Sequence, residues 1–280
     1  VIAALQSAGL KQVGAFPHEG GTLYLGLLPH RPYPAEFSVC SHYPGYQRLY
    51  GVLRQLEGEK RASGVGARAM PDIAYKPLAA SLGYGWLGKQ SLLHHPVLGS
   101  YVSIHAIWVG KKGEYSPPMP PLSAPCGDCD RCQRVCPTGA VLGNGSILRE
   151  RCLRHWMLSG QPVPPELRPL MGHRLLGCDL CQRACPHNPV TADEPPETLR
   201  LAVKLSAILE NPSASAKTLA PLLGTNLMRP RRLLAQALLC AGNSGRTSLA
   251  PLAAAWKNDP DPVVSDHAQW AWERLYHAGE

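Results

Sequence analysis

The chain has 280 residues, 45% of them hydrophobic, with 28 Lys plus Arg against 20 Asp plus Glu and a formal net charge of +8. Its mean hydropathy of −0.13 argues against wholesale disorder, and no stretch approaches the roughly 20 apolar residues of a membrane span. A basic excess of this size favours phosphate-bearing partners over acidic ones.

Residues 2–10 carry helical spacing that ends at Gly9-Leu10, and 1–14 as a whole read as an amphipathic helix running into a strand. That opening lacks the positive flank and small-residue cleavage site of a secretory signal, so a cytoplasmic address is expected. Residues 22–28 alternate and then run apolar until Pro29, the pattern of a buried strand. Helical period returns over 46–57, with Leu49, Val52, Leu53 and Leu56 on one face. A short helix is predicted over 77–82, with Pro77 in its first turn and Gly83 just beyond, and a strand over 100–109. Such alternation predicts an α/β domain over 1–115.

Residues 113–125 hold Pro117, Pro118, Pro120, Pro121 and Pro125, a run that neither helix nor central strand tolerates, and read as a linker. A cysteine-rich unit is expected over 116–195, its cysteines running from Cys126 to just before Pro189, with a Pro- and Glu-bearing break at 193–197. The remainder, 196–280, is helical in pattern: 199–209, 216–223, 230–241, 248–256 and 263–276. Short antiparallel helices of this kind suggest a HEAT-like domain too small to stand alone and therefore docked on the rest. The fold class expected is α+β and multi-domain.

Eight of the ten cysteines lie between Cys126 and Cys185. Cys126, Cys129, Cys132 and Cys136-Pro137 fit C-x2-C-x2-C-x3-C-P, the ferredoxin run in which the fourth cysteine serves a second cluster. Cys178, Cys181 and Cys185-Pro186 repeat its last three cysteines, and Cys152 is the spare thiol. The count closes at two [4Fe–4S] clusters, one on Cys126, Cys129, Cys132 and Cys185, the other on Cys136, Cys152, Cys178 and Cys181. Paired C-x2-C also builds zinc sites, but the uninterrupted triple spacing and the crossing quasi-repeat argue for iron and sulfide. Cys40 and Cys240 read as small buried hydrophobes.

The run Gly83-Tyr-Gly85-Trp86-Leu-Gly88-Lys89 matches a phosphate loop as far as Lys89, but Gln90 stands where Ser or Thr would hold magnesium. Its glycines suit close backbone approach to a flat cofactor, with Lys89 meeting an amide or phosphate. His94 and His95 read as solvated loop residues. Arg229, Arg231 and Arg232 flank Pro230 at a predicted helix start, where cations oppose the helix dipole, so a phosphate-contact role is favoured.

The second cysteine run and its flanks, from Glu166 through Gly172, Gly177 and Cys178 to Cys185-Pro-His-Asn188, resemble the epoxyqueuosine reductases, as do Cys136-Pro-Thr-Gly-Ala140, Arg151-Cys152 and the stretch from Ala80 to Lys89. The resemblance covers nearly the whole chain. It implies a cobalamin on the first domain beside the double-cluster module, held near Gly85, Trp86, Gly88 and Lys89. It also implies a substrate tRNA with a GUN anticodon, gripped partly by the helical tail, and reduction of epoxyqueuosine to queuosine by electrons passed through both clusters. An external donor of flavodoxin or ferredoxin type, a monomer and no membrane are the expected context. The family's proton-donating Asp falls on Ala69, so the catalytic acid is assigned to Asp72, the one carboxylate between Glu59 and Glu114. The family's early Tyr-His pair appears as Tyr46-Gln47. Other classes considered are a non-catalytic electron-transfer module that reduces a corrinoid protein, and a corrinoid reductase of small molecules.

Overall fold

The computed structural model describes residues 1–117, 119–188 and 191–277. Pro118 of the expected linker, Pro189 at the end of the cysteine-rich stretch and the last three residues of the tail lie outside the described residues.

Helix α1 (Ile2–Ser7) leads into strand β1 (Lys11–His18), which turns back into β2 (Gly21–Pro29). The turn residues, Glu19 and Gly20, have φ of 43° and 72°, the left-handed pair that a two-residue hairpin needs to match strand twist. Helix α2 (His42–Ala62) follows, then β3 (Ala67–Ala69), α3 (Tyr75–Ser81), a small hairpin of β4 (Trp86–Leu87) and β5 (Leu93–His94), and β6 (Val102–Val109). The main sheet has the order β1-β2-β6-β3, and every pairing in it is antiparallel. The α/β domain expected from alternation is thus an antiparallel sheet with helices on it, an α+β unit like the chain as a whole. The hairpin turn at Glu19-Gly20 joins neighbouring strands directly, where a parallel pair would require a crossover.

Both faces of the sheet are covered. Leu23, Leu25 and Leu27 of β2 pack with Ala79, Tyr84 and Leu93 on one side, while Leu28 packs with Leu5, Leu10, Leu49, Leu53 and Ile107 on the other. A strand buried on both faces reads as a continuous apolar run, which is why 22–28 lost its alternation.

The cysteine-bearing segment contains short helices α4 (Arg131–Arg134), α5 (Leu153–Ser159), α6 (Arg168–Met171) and α7 (Leu180–Arg183). The tail contains α8 (Glu197–Ala202), α9 (Leu205–Glu210), α10 (Pro212–Leu223), α11 (Pro230–Asn243), α12 (Ala250–Ala254) and α13 (Pro262–His277). The single helix expected over 199–209 is two, broken at Val203-Lys204. Tyr33, Val39, Tyr43, Leu175 and Leu176 share one apolar core with tail residues such as Leu219, Leu234, Leu238 and Ala268. The tail is thus docked, as its small size required.

One buried histidine fastens that docking. His267 of α13 accepts from the Val163 amide and bonds the Ala235 carbonyl, each at 3.0 Å. Burial pushes it down from 6.5 to about 4. The unfolded chain therefore binds more protons between those values, so this contribution is complete above pH 6.5 and is lost as pH falls toward 4. Acidification from about pH 7 to about pH 5 is expected to cost on the order of 1–2 kcal/mol through this group. A thermal-melting series should show that slope flattened in His267→Gln.

Candidate functional site

The two cysteine runs fold as copies of one motif. Asp130 and Asp179 stand at the starts of α4 and α7 with φ of −121° and −123°. Each pairs with the arginine four residues on, Arg134 at 2.8 Å and Arg183 at 2.8 Å. Each helix ends in a turn that lets the Cys136 or Cys185 amide bond the carbonyl of Gln133 or Gln182, both at 3.1 Å. This repeat brings the cysteines of both runs into mutual electrostatic reach. Cys185 lies within electrostatic reach of Cys126, Cys129 and Cys132. Cys178, Cys152 and Cys136 lie within electrostatic reach of Cys181, as does Cys132 of the first run.

The donor set suits clusters. Burial, then the neighbouring thiolates, pushes Cys181 far up, and burial raises Cys132, Cys178 and Cys185 as well. Thiols so crowded ionise together when metal supplies the counter-charge. Among the described residues no group of three or more Cys, His, Asp or Glu is drawn together as for a single metal ion. Burial raises Cys136 too, but hydrogen bonds from Thr138, Ala140 and Val141 outweigh it and hold that thiol below its ordinary value. The Cys136-Pro-Thr-Gly-Ala140 turn thus supplies sulfur-directed donors, one of the protein's means of setting a cluster potential.

Outside the sets, Cys40 and Cys240 are single thiols raised by burial, Cys240 to about 12. Gly177, with φ 90°, leaves no room for a side chain: a Cβ there would come within 2.8 Å of Cys40 Sγ.

The glycine-rich segment docks the cysteine module onto the sheet. Lys89 Nζ donates to the carbonyls of Gly127 at 2.6 Å and Cys129 at 3.0 Å, in the first cysteine loop. Gln90 lies 2.6 Å from His94 Nε2 and also bonds Cys185. A Cβ on Gly85 would collide with the His94 carbonyl, and one on Gly88 would meet Gln90 and His94. These glycines accommodate the chain's own β4–β5 hairpin. Trp86 is buried, stacked on His94 with rings 5.8 Å apart and 8° from parallel. His94 is 1% exposed, which corrects its reading as solvated; its place in β5 under Trp86 buries it. His95 is half-buried and accepts from the Val97 and Leu98 amides. Asn188 closes the second loop: its side chain bonds Ser100 N, Ser100 Oγ and the Gln182 carbonyl at 2.6, 2.9 and 2.6 Å.

Beside the Cys152 set, Arg154 projects from α5 toward the sheet domain. Its charge reaches His42, Tyr43, Tyr46 and Lys76. Tyr46 packs against His105 with ring centroids 4.8 Å apart, and burial pushes His105 down to about 3, so it stays neutral. Tyr75 is raised by burial and by the charges of Tyr46 and Asp72, and its hydroxyl donates to the Pro71 carbonyl. Asp72 itself is exposed, on the loop between β3 and α3. It does not cap α3, whose N-cap is Ala74 without a side-chain bond. Ala69 is fixed in the sheet opposite Ile107. Of this group Ala69, Asp72 and Tyr46 were singled out in sequence; His42, His105 and Arg154 carry no motif, and the fold alone assembles them.

The three arginines line a groove of about 190 Å³ with Trp156, Met157, Gln161 and Gln236. Arg231 is committed to Asp259, whose side chain is 6% exposed. Among the described residues Arg229 and Arg232 hydrogen-bond only neutral groups of Asn226, at 3.4 and 3.1 Å.

Residues 125–188 match the model of the 4Fe-4S double cluster binding domain. An epoxyqueuosine reductase of Alicycliphilus denitrificans is 32% identical over 155 residues, which is 53% of this chain and 42% of that protein. The chain thus spans less than half the length of this curated relative. The epoxyqueuosine reductase of Bacillus subtilis, solved with its catalytic aspartate loop swung out of the active site, superposes with a TM-score of 0.75 at 20% identity, covering 98% of this chain and 89% of that one. A structure of an epoxyqueuosine reductase with an epoxyqueuosine-modified tRNA-Tyr stem loop gives 0.76 at 21% identity, covering 98% and 88%. Over about half its length the chain is thus similar to epoxyqueuosine reductases, and its cysteine-bearing segment matches the double-cluster model. The α+β fold is shared with these solved epoxyqueuosine reductases.

Proposed function

We propose that the chain reduces epoxyqueuosine to queuosine in tRNA, drawing electrons through two [4Fe–4S] clusters to a cobalamin. The observation that carries this is the placement of Cys152 two residues before Arg154, so that one cysteine set abuts a polar group of the sheet domain.

The overall change takes two electrons and two protons per epoxide and releases the oxygen as water. When bound, the clusters supply single electrons at low potential and the corrinoid supplies the metal centre that meets the substrate. The corrinoid periphery is a ring of amides with one phosphate, and Arg154, Lys76 and Tyr46 are donors suited to both. Gly85, Trp86, Gly88 and Lys89 support the site by fixing the first cysteine loop and the hairpin. Asp72 hands the proton to the departing oxygen from a loop. A loop position fits a chain in which Ala69, locked in the sheet, has no carboxylate to offer. The product assay is direct: reconstituted protein with reductant and epoxyqueuosine-bearing tRNA should yield queuosine. RNA bound beside reduced clusters with no product would leave an electron-transfer protein.

In this reading Arg229 and Arg232 contact the tRNA backbone. Converting both to Glu is expected to weaken stem-loop binding by about 10²-fold at low salt and flatten its salt dependence, because each lost phosphate contact removes counterion release. Arg231 is best left in place, since Glu there would oppose Asp259. An unchanged titration by fluorescence anisotropy would move the RNA surface elsewhere.

A further inference from the structure

We infer that the groove between α5 and the first turns of α11 is a ribose-phosphate subsite that distinguishes RNA by a 2′-hydroxyl, read by Gln236. The inference rests on the tRNA reading above and adds to it a residue and a sugar. Two independent observations meet there. Arg229 and Arg232 bring uncommitted positive charge to the amino end of a 14-residue helix, where backbone dipoles also favour an anion. One turn further in, Gln236 lines the same groove, is 6% exposed, and leaves Oε1 without a hydrogen-bond partner among the described residues.

A buried amide oxygen without a donor costs about 1–3 kcal/mol, so a site that retains one is poised for a ligand that supplies an O–H or N–H. The groove's size narrows the choice. At about 190 Å³ it is smaller than the roughly 300–1,000 Å³ of whole-cofactor pockets, and it suits one sugar with its phosphate. The wall opposite is Trp156, its ring held by an Nε1 bond to the Glu150 carbonyl at 2.8 Å. Asp261 also lines the groove; its Oδ1 accepts from the Val263 and Val264 amides at 2.9 and 3.4 Å as α13 begins, and its charge is outnumbered there by Arg229, Arg231 and Arg232. An anion between the arginines, a hydroxyl donor facing Gln236 and a flat aromatic flank describe ribose 3′- or 5′-phosphate in an RNA strand. The 2′-hydroxyl is the group by which a protein separates RNA from DNA.

The test uses the full chain with its clusters reconstituted and two probes: an anticodon stem-loop RNA, and the same sequence with fluorine at every 2′ position, which keeps the A-form but cannot donate. Wild type should bind the hydroxyl form about 3–10-fold tighter, the worth of one neutral hydrogen bond. Gln236→Leu should lose that preference by weakening only the hydroxyl form, with the cluster absorbance unchanged. A wild-type ratio of one, or a ratio that Gln236→Leu leaves intact, overturns the subsite while the tRNA reading stands. Failure of wild type to bind either probe in a salt-dependent manner overturns the tRNA reading and the subsite with it. Because the wild-type ratio needs no variant, misfolding of Gln236→Leu leaves the inference open to refutation.

Discussion

Cys152→Ala is expected to lower the iron content of anaerobically reconstituted protein from about eight to about four per chain, with sulfide falling in step. Cys152 is the cysteine that neither copy of the repeated motif supplies. It stands at the start of α5 in extended conformation, while the other seven sit in or beside the two loops. Its set, with Cys136, Cys178 and Cys181, would be left with three thiolates. The set of Cys126, Cys129, Cys132 and Cys185 would be untouched and still anchored through Lys89. The absorbance near 400 nm should halve, and reductive titration should show one electron taken up in place of two. Retention of both clusters would mean that the partition of ligands is wrong.

Asp72→Asn is expected to reduce turnover by about 10²–10⁴-fold, the usual worth of a positioned general acid. Cluster content and RNA affinity should be unaltered. The residue is exposed and its side chain caps no helix, so a purely structural role predicts little change. Its loop begins at Met70, a non-glycine residue with φ 48°, held by its amide to the Ala106 carbonyl at 2.9 Å. Left-handed backbone at such a residue is strained and tends to occur where function requires it. An Asn variant with wild-type turnover would assign the proton to solvent or to a neighbouring group such as Tyr46.

The two cysteine loops were legible because their spacing is local: Asp130 to Cys136 and Asp179 to Cys185 each fold as one turn of helix and a loop. The helical tail was legible from its period, apart from the break at Val203-Lys204. The direction of the strands was not, since the left-handed turn at Glu19-Gly20 carries only one glycine, and strands buried on both faces hide their alternation. Lys89 was read as a ligand contact because a lysine after glycines resembles one. Its actual partners, Gly127 and Cys129, lie about forty residues away across the prolines, and no local pattern announces such a bond. The same holds for Gln236: one amide in an amphipathic helix has no signature until the surrounding groove is seen.

The central claim is that electrons stored on this chain's own clusters remove the epoxide oxygen. The most direct measurement is a single turnover. Protein loaded with clusters and cobalamin is reduced, freed of excess reductant and mixed with epoxyqueuosine-bearing tRNA, while cluster absorbance and queuosine are followed together. The account predicts that the oxidised-cluster absorbance returns as queuosine forms, with two electrons leaving the protein per product. Clusters that stay reduced beside bound, unchanged substrate would contradict it.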